Sequence, residues 1–410
     1  MIRQDVIFKT DFKVRALRTP NSGLLSQRAL DLKPSLTLEI SSKAKSLIKE
    51  GRDICSLSAG EPDFDTPSFI VEAAIKALKD GITKYGPAAG DPDLRNALAN
   101  KISIENKITI SQENILVTNG GKQAIYNLLQ VILNSGDEVL IPSPYWLSYP
   151  EIVRLAGAKP VIVRSEISNS FKIDFDEMDS LVNQNTKLLI INSPNNPTGS
   201  VLSIEDLKNI VNFLRKHEKI FLLSDEIYEY LLSDGVKHNS IVSVAPELKD
   251  RIFTVNGFAK GWAMTGWRVG YLSGQKKVIE KATALQSQST SNVCSFAQRG
   301  ALAAITGSKS CLKEMATTFT KRRNLLSSGL KEIKGISLIE PEGAFYAFPQ
   351  INKEKILSIE FCNMALEKVG LSIVPGLAFG EDRCVRISCA ASEETIKDGL
   401  KRLNILMNSI

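Results

Sequence analysis

At 410 residues and 45.0 kDa the chain exceeds one ordinary core of roughly 100 to 200 residues, so two domains meeting at a shared site are expected. With 43% hydrophobic and 23% charged residues it is not of a disordered class, and no apolar run approaches the ~20 residues of a membrane span, which leads us to expect a soluble protein. The net charge of +6 sits mainly in the first thirty residues, where Arg3, Lys9, Lys13, Arg15, Arg18 and Arg28 face only Asp5 and Asp11. That removes the charge as an argument for a nucleic-acid or membrane partner.

Residues 1–32 have no apolar core and no small-residue cleavage site, so a basic N-terminal extension is expected in preference to a secretory signal. The six cysteines form no CxxC pair, and His217 and His238 are the only histidines. A disulfide framework and a metal site are therefore not expected, and a cytoplasmic location is the simplest setting.

In chain order, helices are expected from Phe69 to Lys79 and around Leu94 to Ile104, on either side of a Gly/Pro-rich loop from Tyr85 to Pro92. Seven short apolar runs follow, separated by helical periods: Ile115–Thr118, Glu138–Ile141, Lys159–Val163, Leu188–Asn192, Ile220–Ser224, Ile252–Val255 and Val269–Leu272. Runs without alternation suit strands buried on both faces. Ser203 and Asp206 have capping-box spacing and open an amphipathic helix to Arg215. This alternation predicts an α/β fold with a mostly parallel sheet between helices. From about Gly307 the pattern changes to a long helix (Leu312 to Leu330), strand-like pieces near Ile336, Ala344 and Cys384, and a terminal helix. We therefore expect a large domain over 69–306 and a smaller α+β domain over 33–68 and 307–410.

In open α/β sheets, ligand-binding groups collect outside the carboxyl ends of the strands. Four expected strands end in unusual polar segments: Thr118-Asn-Gly-Gly-Lys122, Ser193 to Gly199 (SPNNPTG), Asp225-Glu-Ile-Tyr228 and Asn256-Gly-Phe-Ala-Lys260. Lys260 lies in an apolar stretch, where burial would lower its pKa and free a neutral amine for attack on an aldehyde; a lysine snorkelling from a loop is the alternative. Arg268 suits a phosphate, and Gly120-Gly121-Lys122 ahead of a helix near Gln123 would add backbone amides, although an ordinary tight turn reads the same way. A buried Asp225 would keep a pyridine nitrogen protonated, and Asn196 and Tyr228 would bond the ring's phenolate oxygen. Asp225 as a helix cap and Asn196-Pro197 as a turn remain open readings.

The segments SLSAGEPDFDTP (56–67), KYGPAAGDPDLR (84–95), NGGKQA (119–124), PSPYWLSYPE (142–151), NSPNNPTG (192–199), SDEIYE (224–229), NGFAKGWAMTGWRVGY (256–271), PEGAFY (341–346) and VRISCAAS (385–392) carry a resemblance to the class I/II aminotransferases. Within them they resemble the Iβ-type aspartate aminotransferases, including the aspartate/prephenate subgroup, across residues 33–410. The resemblance implies a fold-type I homodimer with shared active sites and pyridoxal 5'-phosphate as cofactor, serving amino acid biosynthesis. It implies Lys260 as the Schiff-base lysine and proton shuttle and Asp225 as partner of the ring nitrogen. Asn196 and Tyr228 match the phenolate contacts, and Trp146 the stacked aromatic. Gly120, Gly121, Lys122 and Arg268 match the phosphate site, with Tyr85 reaching in from the other subunit. Arg386 matches the grip on the substrate α-carboxylate, with Gly60 beside it. Gly257 departs from the best-known branch, which has serine there; the Iβ type often has glycine.

For the substrate side chain the resemblance points to Thr37, Lys122 and the Ser289-Thr290 segment, the last arriving from the neighbouring subunit, and to Lys33 for acceptance of prephenate. A solvated Lys33 at the domain edge is the alternative. The Gln286 to Thr290 run has no arginine, which argues against a distal-arginine solution. The expected reaction is L-aspartate with 2-oxoglutarate giving oxaloacetate and L-glutamate, with transamination of prephenate to arogenate as a further activity. An alanine or aromatic aminotransferase is the main alternative. A non-enzymatic PLP-binding regulator would need a DNA-binding module that thirty-odd residues cannot hold.

Overall fold

The computed structural model of the chain describes residues 24–32, 36–353 and 356–410. The described residues fall into two units, 24–32 in the first and 36–410 in the second. In the first, a short helix (Gln27–Asp31) begins where the Ser26 hydroxyl accepts the Ala29 amide. No helix among the described residues is long and apolar enough to cross a membrane.

The second unit is built on a seven-stranded sheet. Its strands are β1 (Ile115–Thr118), β2 (Glu138–Pro142), β3 (Lys159–Val163), β4 (Thr186–Asn192), β5 (Phe221–Asp225), β6 (Ile252–Gly257) and β7 (Gly270–Ser273). Their spatial order is β1-β7-β6-β5-β4-β2-β3. Only β7 runs against its neighbours. All seven expected runs are strands, shifted at their ends by no more than two residues.

Continuous apolar runs work here because both sheet faces are covered. Val139, Ile141, Leu188 and Ile190 enter a core with the helix Gly121–Ile132, whereas Leu140, Leu189 and Ile191 enter another with the helix Ile204–Lys216. Burying each such side chain contributes about 1.5–3 kcal/mol, and any interior charge would forfeit it. The helix Ile204–Lys216 starts as its sequence requires: the Asp206 amide donates to the Ser203 hydroxyl at 3.1 Å, and the Ser203 amide donates to the Asp206 carboxylate at 2.9 Å.

The C-terminal third forms a long helix (Ser310–Glu332), a terminal helix (Glu393–Ser409) and a three-stranded antiparallel sheet in the order Tyr346–Ala347, Val385–Ser388, Val374–Pro375. The strand expected near Ala344 begins at Tyr346, because Ala344 has φ +53°, a left-handed conformation that a strand cannot hold. Similarly, the helix expected near Gln123 begins at Gly121, since Gly120 at φ +80° turns the chain directly out of β1.

Strand register brings the polar segments together. Asn192 on β4 lies opposite Asp225 on β5, Asp225 opposite Val255 on β6, and Gly257 opposite Gly270 on β7. Gly270 also supports the Gly120-Gly121 turn: a Cβ there would stand 2.6 Å from the Gly121 nitrogen and 2.7 Å from the Gly120 carbonyl carbon. Both are backbone atoms, so the turn itself would have to move. Gly270→Ala is expected to cost about 1–3 kcal/mol and lower the thermal melting midpoint. Gly266→Ala, where nothing lies within 4 Å, is expected to leave the midpoint in place.

Candidate active site

A cavity of about 430 Å³ opens at the carboxyl ends of β5 and β6, within the usual size of a small-molecule site. Of the residues expected at the site, Gly60, Gly121, Lys122, Trp146 and Asn196 line it. So do Asp225, Tyr228, Lys260, Arg268 and Arg386.

One end is cationic. The helix Gly121–Ile132 points its amino terminus here, with its unpaired amides and positive dipole end. Arg268, itself at φ +56°, donates from Nη2 to the Asn119 carbonyl at 3.1 Å and from Nη1 to the Thr265 carbonyl at 2.9 Å. A Cβ on Gly120 would fall 2.5 Å from Arg268 Nη2, so a side chain at that position would expel the guanidinium. Lys122 completes this end, with Nζ 4.9 Å from the centre of the Trp146 ring. Burial and then the Arg268 charge lower the Lys122 pKa. Such a cradle fits a phosphate dianion.

Asp225, buried at the end of β5, lines the same cavity. Its Oδ2 accepts the Tyr149 hydroxyl at 2.7 Å and its Oδ1 the Ile227 amide at 3.2 Å. Burial pushes the carboxyl up to about 6, against these two hydrogen bonds that pull it down. It is therefore largely ionised at neutral pH and able to hold a protonated ring nitrogen. The helix-cap reading of Asp225 fails: the segment after it forms turns, and the bond to Ile227 closes an Asx turn. Tyr149 also meets the Trp146 ring edge-on at 5.3 Å, linking the acid to the aromatic wall.

Lys260 lines this cavity as well. It does not snorkel outward: Nζ donates to the Gly60 carbonyl and sits 5.8 Å from the Tyr228 ring centre and 5.6 Å from that of Phe345. Burial first, then the charges of Arg386 and Arg268, bring its ammonium down to about 8, against the opposing pull of Glu61 and Asp225. Roughly a tenth of it is a neutral amine at pH 7.

Arg386 forms the third feature. Nη1 donates to Asn196 Oδ1 at 3.0 Å and Nη2 to the Ser58 carbonyl at 3.2 Å. The guanidinium carbon lies 4.4 Å from the Tyr346 ring centre and 5.0 Å from that of Phe379. Its Nε is buried without a hydrogen-bond partner, and among the described residues no acid forms an ion pair with the guanidinium. Asn196 is held in turn by Asn192, whose Oδ1 accepts the Asn196 amide at 2.8 Å and whose Nδ2 donates to the Asp225 carbonyl at 2.9 Å. An arginine so placed fits a carboxylate.

Of the other expected residues that are described, Gly120, Tyr85 and Ser289 do not line the cavity of this chain. Tyr85 is 92% exposed, and Ser289 is exposed, its hydroxyl donating to the Gln286 carbonyl. Lys33 and the side chain of Thr37 lie outside the described residues. Among the site residues with no assigned role from sequence are Tyr149 and Tyr346. The first stands three residues after Trp146, at the start of the helix Ser148–Leu155, and that spacing is a usable signal; the second ends the PEGAFY segment.

The family model for aminotransferase class I and II matches residues 52–403. A probable aspartate/prephenate aminotransferase of Rickettsia bellii is 45% identical over 398 residues, covering 95% of this chain and 100% of that protein. The aspartate aminotransferase of Bacillus subtilis is 43% identical over 385 residues, covering 92% and 98%. Among solved structures, the aspartate aminotransferase of Rhizobium meliloti superposes with a TM-score of 0.90 at 36% identity, covering 94% of this chain and 98% of that one. With a cationic cradle, a buried acid, an amine of lowered pKa and a carboxylate-seeking arginine around one cavity, the chain belongs to the class I and II aminotransferases.

Proposed function

We propose that the protein is a pyridoxal-phosphate-dependent aspartate aminotransferase that converts L-aspartate and 2-oxoglutarate to oxaloacetate and L-glutamate, and that it also transaminates prephenate. The observation that carries the reading is the convergence of the Lys260 amine, Asp225, the Arg268 cradle and Arg386 on one cavity. Prephenate is included because the Rickettsia relative is named for both substrates and because Lys33 matches a lysine of that subgroup.

The residues fit the cofactor by their chemistry. The Gly121 helix end, Lys122 and Arg268 would hold its phosphate, Trp146 its ring face, Asp225 its ring nitrogen, and Asn196 and Tyr228 its phenolate oxygen. When bound, pyridoxal phosphate supplies an aldehyde carbon and an electron-withdrawing ring that stabilises negative charge at the substrate α-carbon. Lys260 Nζ, uncharged, takes the α-proton; a fully charged amine has no lone pair for it. Arg386 binds the α-carboxylate, and Asn196 fixes its Nη1 so that the donor edge does not rotate away. Lys122, Thr37, Ser289 and Lys33 would meet the second carboxylate of a dicarboxylic substrate, which is costly to bury unpaired.

A homodimer is part of this reading. Tyr85 and Ser289 stand outside this chain's own cavity, as residues serving a partner's site would. We further infer that the segments 33–68 and 307–410 close over 69–306 to exclude water, and that the enzyme works in the cytoplasm.

Two measurements test the proposal. Across aspartate, glutamate, prephenate, alanine and phenylalanine as partners in transamination, kcat/KM for aspartate is expected to exceed that for alanine or phenylalanine by at least about tenfold; a lead for either of those two would reassign the substrate. Lys260→Ala is expected to lower kcat by about 10²- to 10⁴-fold or more. Near wild-type turnover in that variant would remove Lys260 from the reaction.

A further inference from the structure

Tyr346 touches two parts of the site that sequence reasoning treated separately. It begins the strand Tyr346–Ala347, opposite Ser388 in antiparallel register, which places it diagonally from Arg386 on the same sheet face. Its ring centre is 4.4 Å from the Arg386 guanidinium carbon, and its hydroxyl is 3.0 Å from that of Tyr228. Both phenols are buried, and both line the cavity.

Each hydroxyl carries one proton, and only one of the two protons can occupy the bond between them. If Tyr228 donates into the cavity, the shared proton has to come from Tyr346. We propose that Tyr346 is a positioning residue for transamination: its hydroxyl donates to Tyr228 and so turns the Tyr228 proton towards the cavity, while its ring braces Arg386. The inference rests on the reading of Tyr228 as a donor to the cofactor's phenolate oxygen.

The hydroxyl geometry permits either direction, and the cation nearest the pair bears on the choice. Arg386 faces both phenols and opposes the rise in pKa that burial imposes on them. Glu61 and Cys389 also face Tyr346, Asp225 faces Tyr228, and Arg268 faces Lys260. Of these groups Arg386 is the one in ring contact with Tyr346, and a cation there makes the hydroxyl a better donor. A Tyr228 that receives a bond from Tyr346 is itself a stronger donor, because chained hydrogen bonds polarise one another.

Phe379 provides the control. It packs on Arg386 at 5.0 Å but has no hydroxyl to offer Tyr228. The test uses the full chain loaded with pyridoxal phosphate and reads the pH midpoint of its visible absorption band, with kcat and KM for aspartate measured alongside. In Tyr346→Phe the band midpoint is expected to rise by roughly 0.5 to 1 pH unit, the size a lost hydrogen bond supplies, because Tyr228 then stabilises the phenolate oxygen less. In Phe379→Leu, KM is expected to rise with the band midpoint unchanged. A Tyr346→Phe variant that melts like the wild type and keeps its band midpoint would overturn this inference and leave the cofactor reading standing. An equal shift in both variants would also overturn it, since a general loosening of Arg386 would then suffice. A wild type that develops no visible band would withdraw the cofactor reading, and the role of Tyr346 with it.

Discussion

A lysine amine held partly uncharged among other cations is the condition on which the proposed chemistry depends. In water the Lys260 ammonium would keep its proton well above neutral pH, and neither attack on an aldehyde nor removal of an α-proton could proceed from it. Burial and the field of Arg386 lower its pKa to about 8. Asp225 and Glu61 oppose that fall, so the value reflects a balance. It leaves Lys260 protonated often enough to exchange protons and neutral often enough to act as a base.

The fold produces this balance by where its strands end. Burial on both faces of the sheet requires apolar runs, and polar groups are expelled to the loops beyond the strand ends. Register then places those loops side by side, as the opposition of Asn192 and Asp225 illustrates. The same register drives Gly270 against the Gly120-Gly121 turn, so the position of the cationic cradle is set by a backbone contact and not by side chains that could relax. Arg386 arrives from the C-terminal sheet, between Tyr346 and Phe379. Its field at Lys260 therefore couples the C-terminal third of the chain to the end of β6.

Much of this was legible in the sequence. The seven apolar runs predicted the sheet because burial on both faces leaves little freedom in composition, and the Ser203 capping box fixed a helix start by local bonding alone. Left-handed backbone was harder to see: nothing in the residue type at Ala344 announces φ +53°, so the strand expected there began two residues late. The cofactor-facing residues stood out because unusual polar segments followed apolar strands. Tyr149 and Tyr346 did not, since a buried tyrosine reads as core until its hydroxyl is seen to meet Asp225 or Tyr228. Tyr85 and Ser289 were assigned to a neighbouring subunit by resemblance alone, because no pattern within one chain reports which surface another copy will cover.

The most direct test of the account is the titration of Lys260 itself in cofactor-free protein. An amine-selective acylating reagent, applied at intervals between about pH 6 and pH 11 and read by peptide mass spectrometry, reports the neutral fraction of each lysine separately. Lys260 is expected to reach half its limiting rate near pH 8, and Arg386→Met to move that midpoint upward, since the Arg386 charge helps to lower it. A Lys260 midpoint near 10.4, where solvent-exposed lysines titrate, would contradict it.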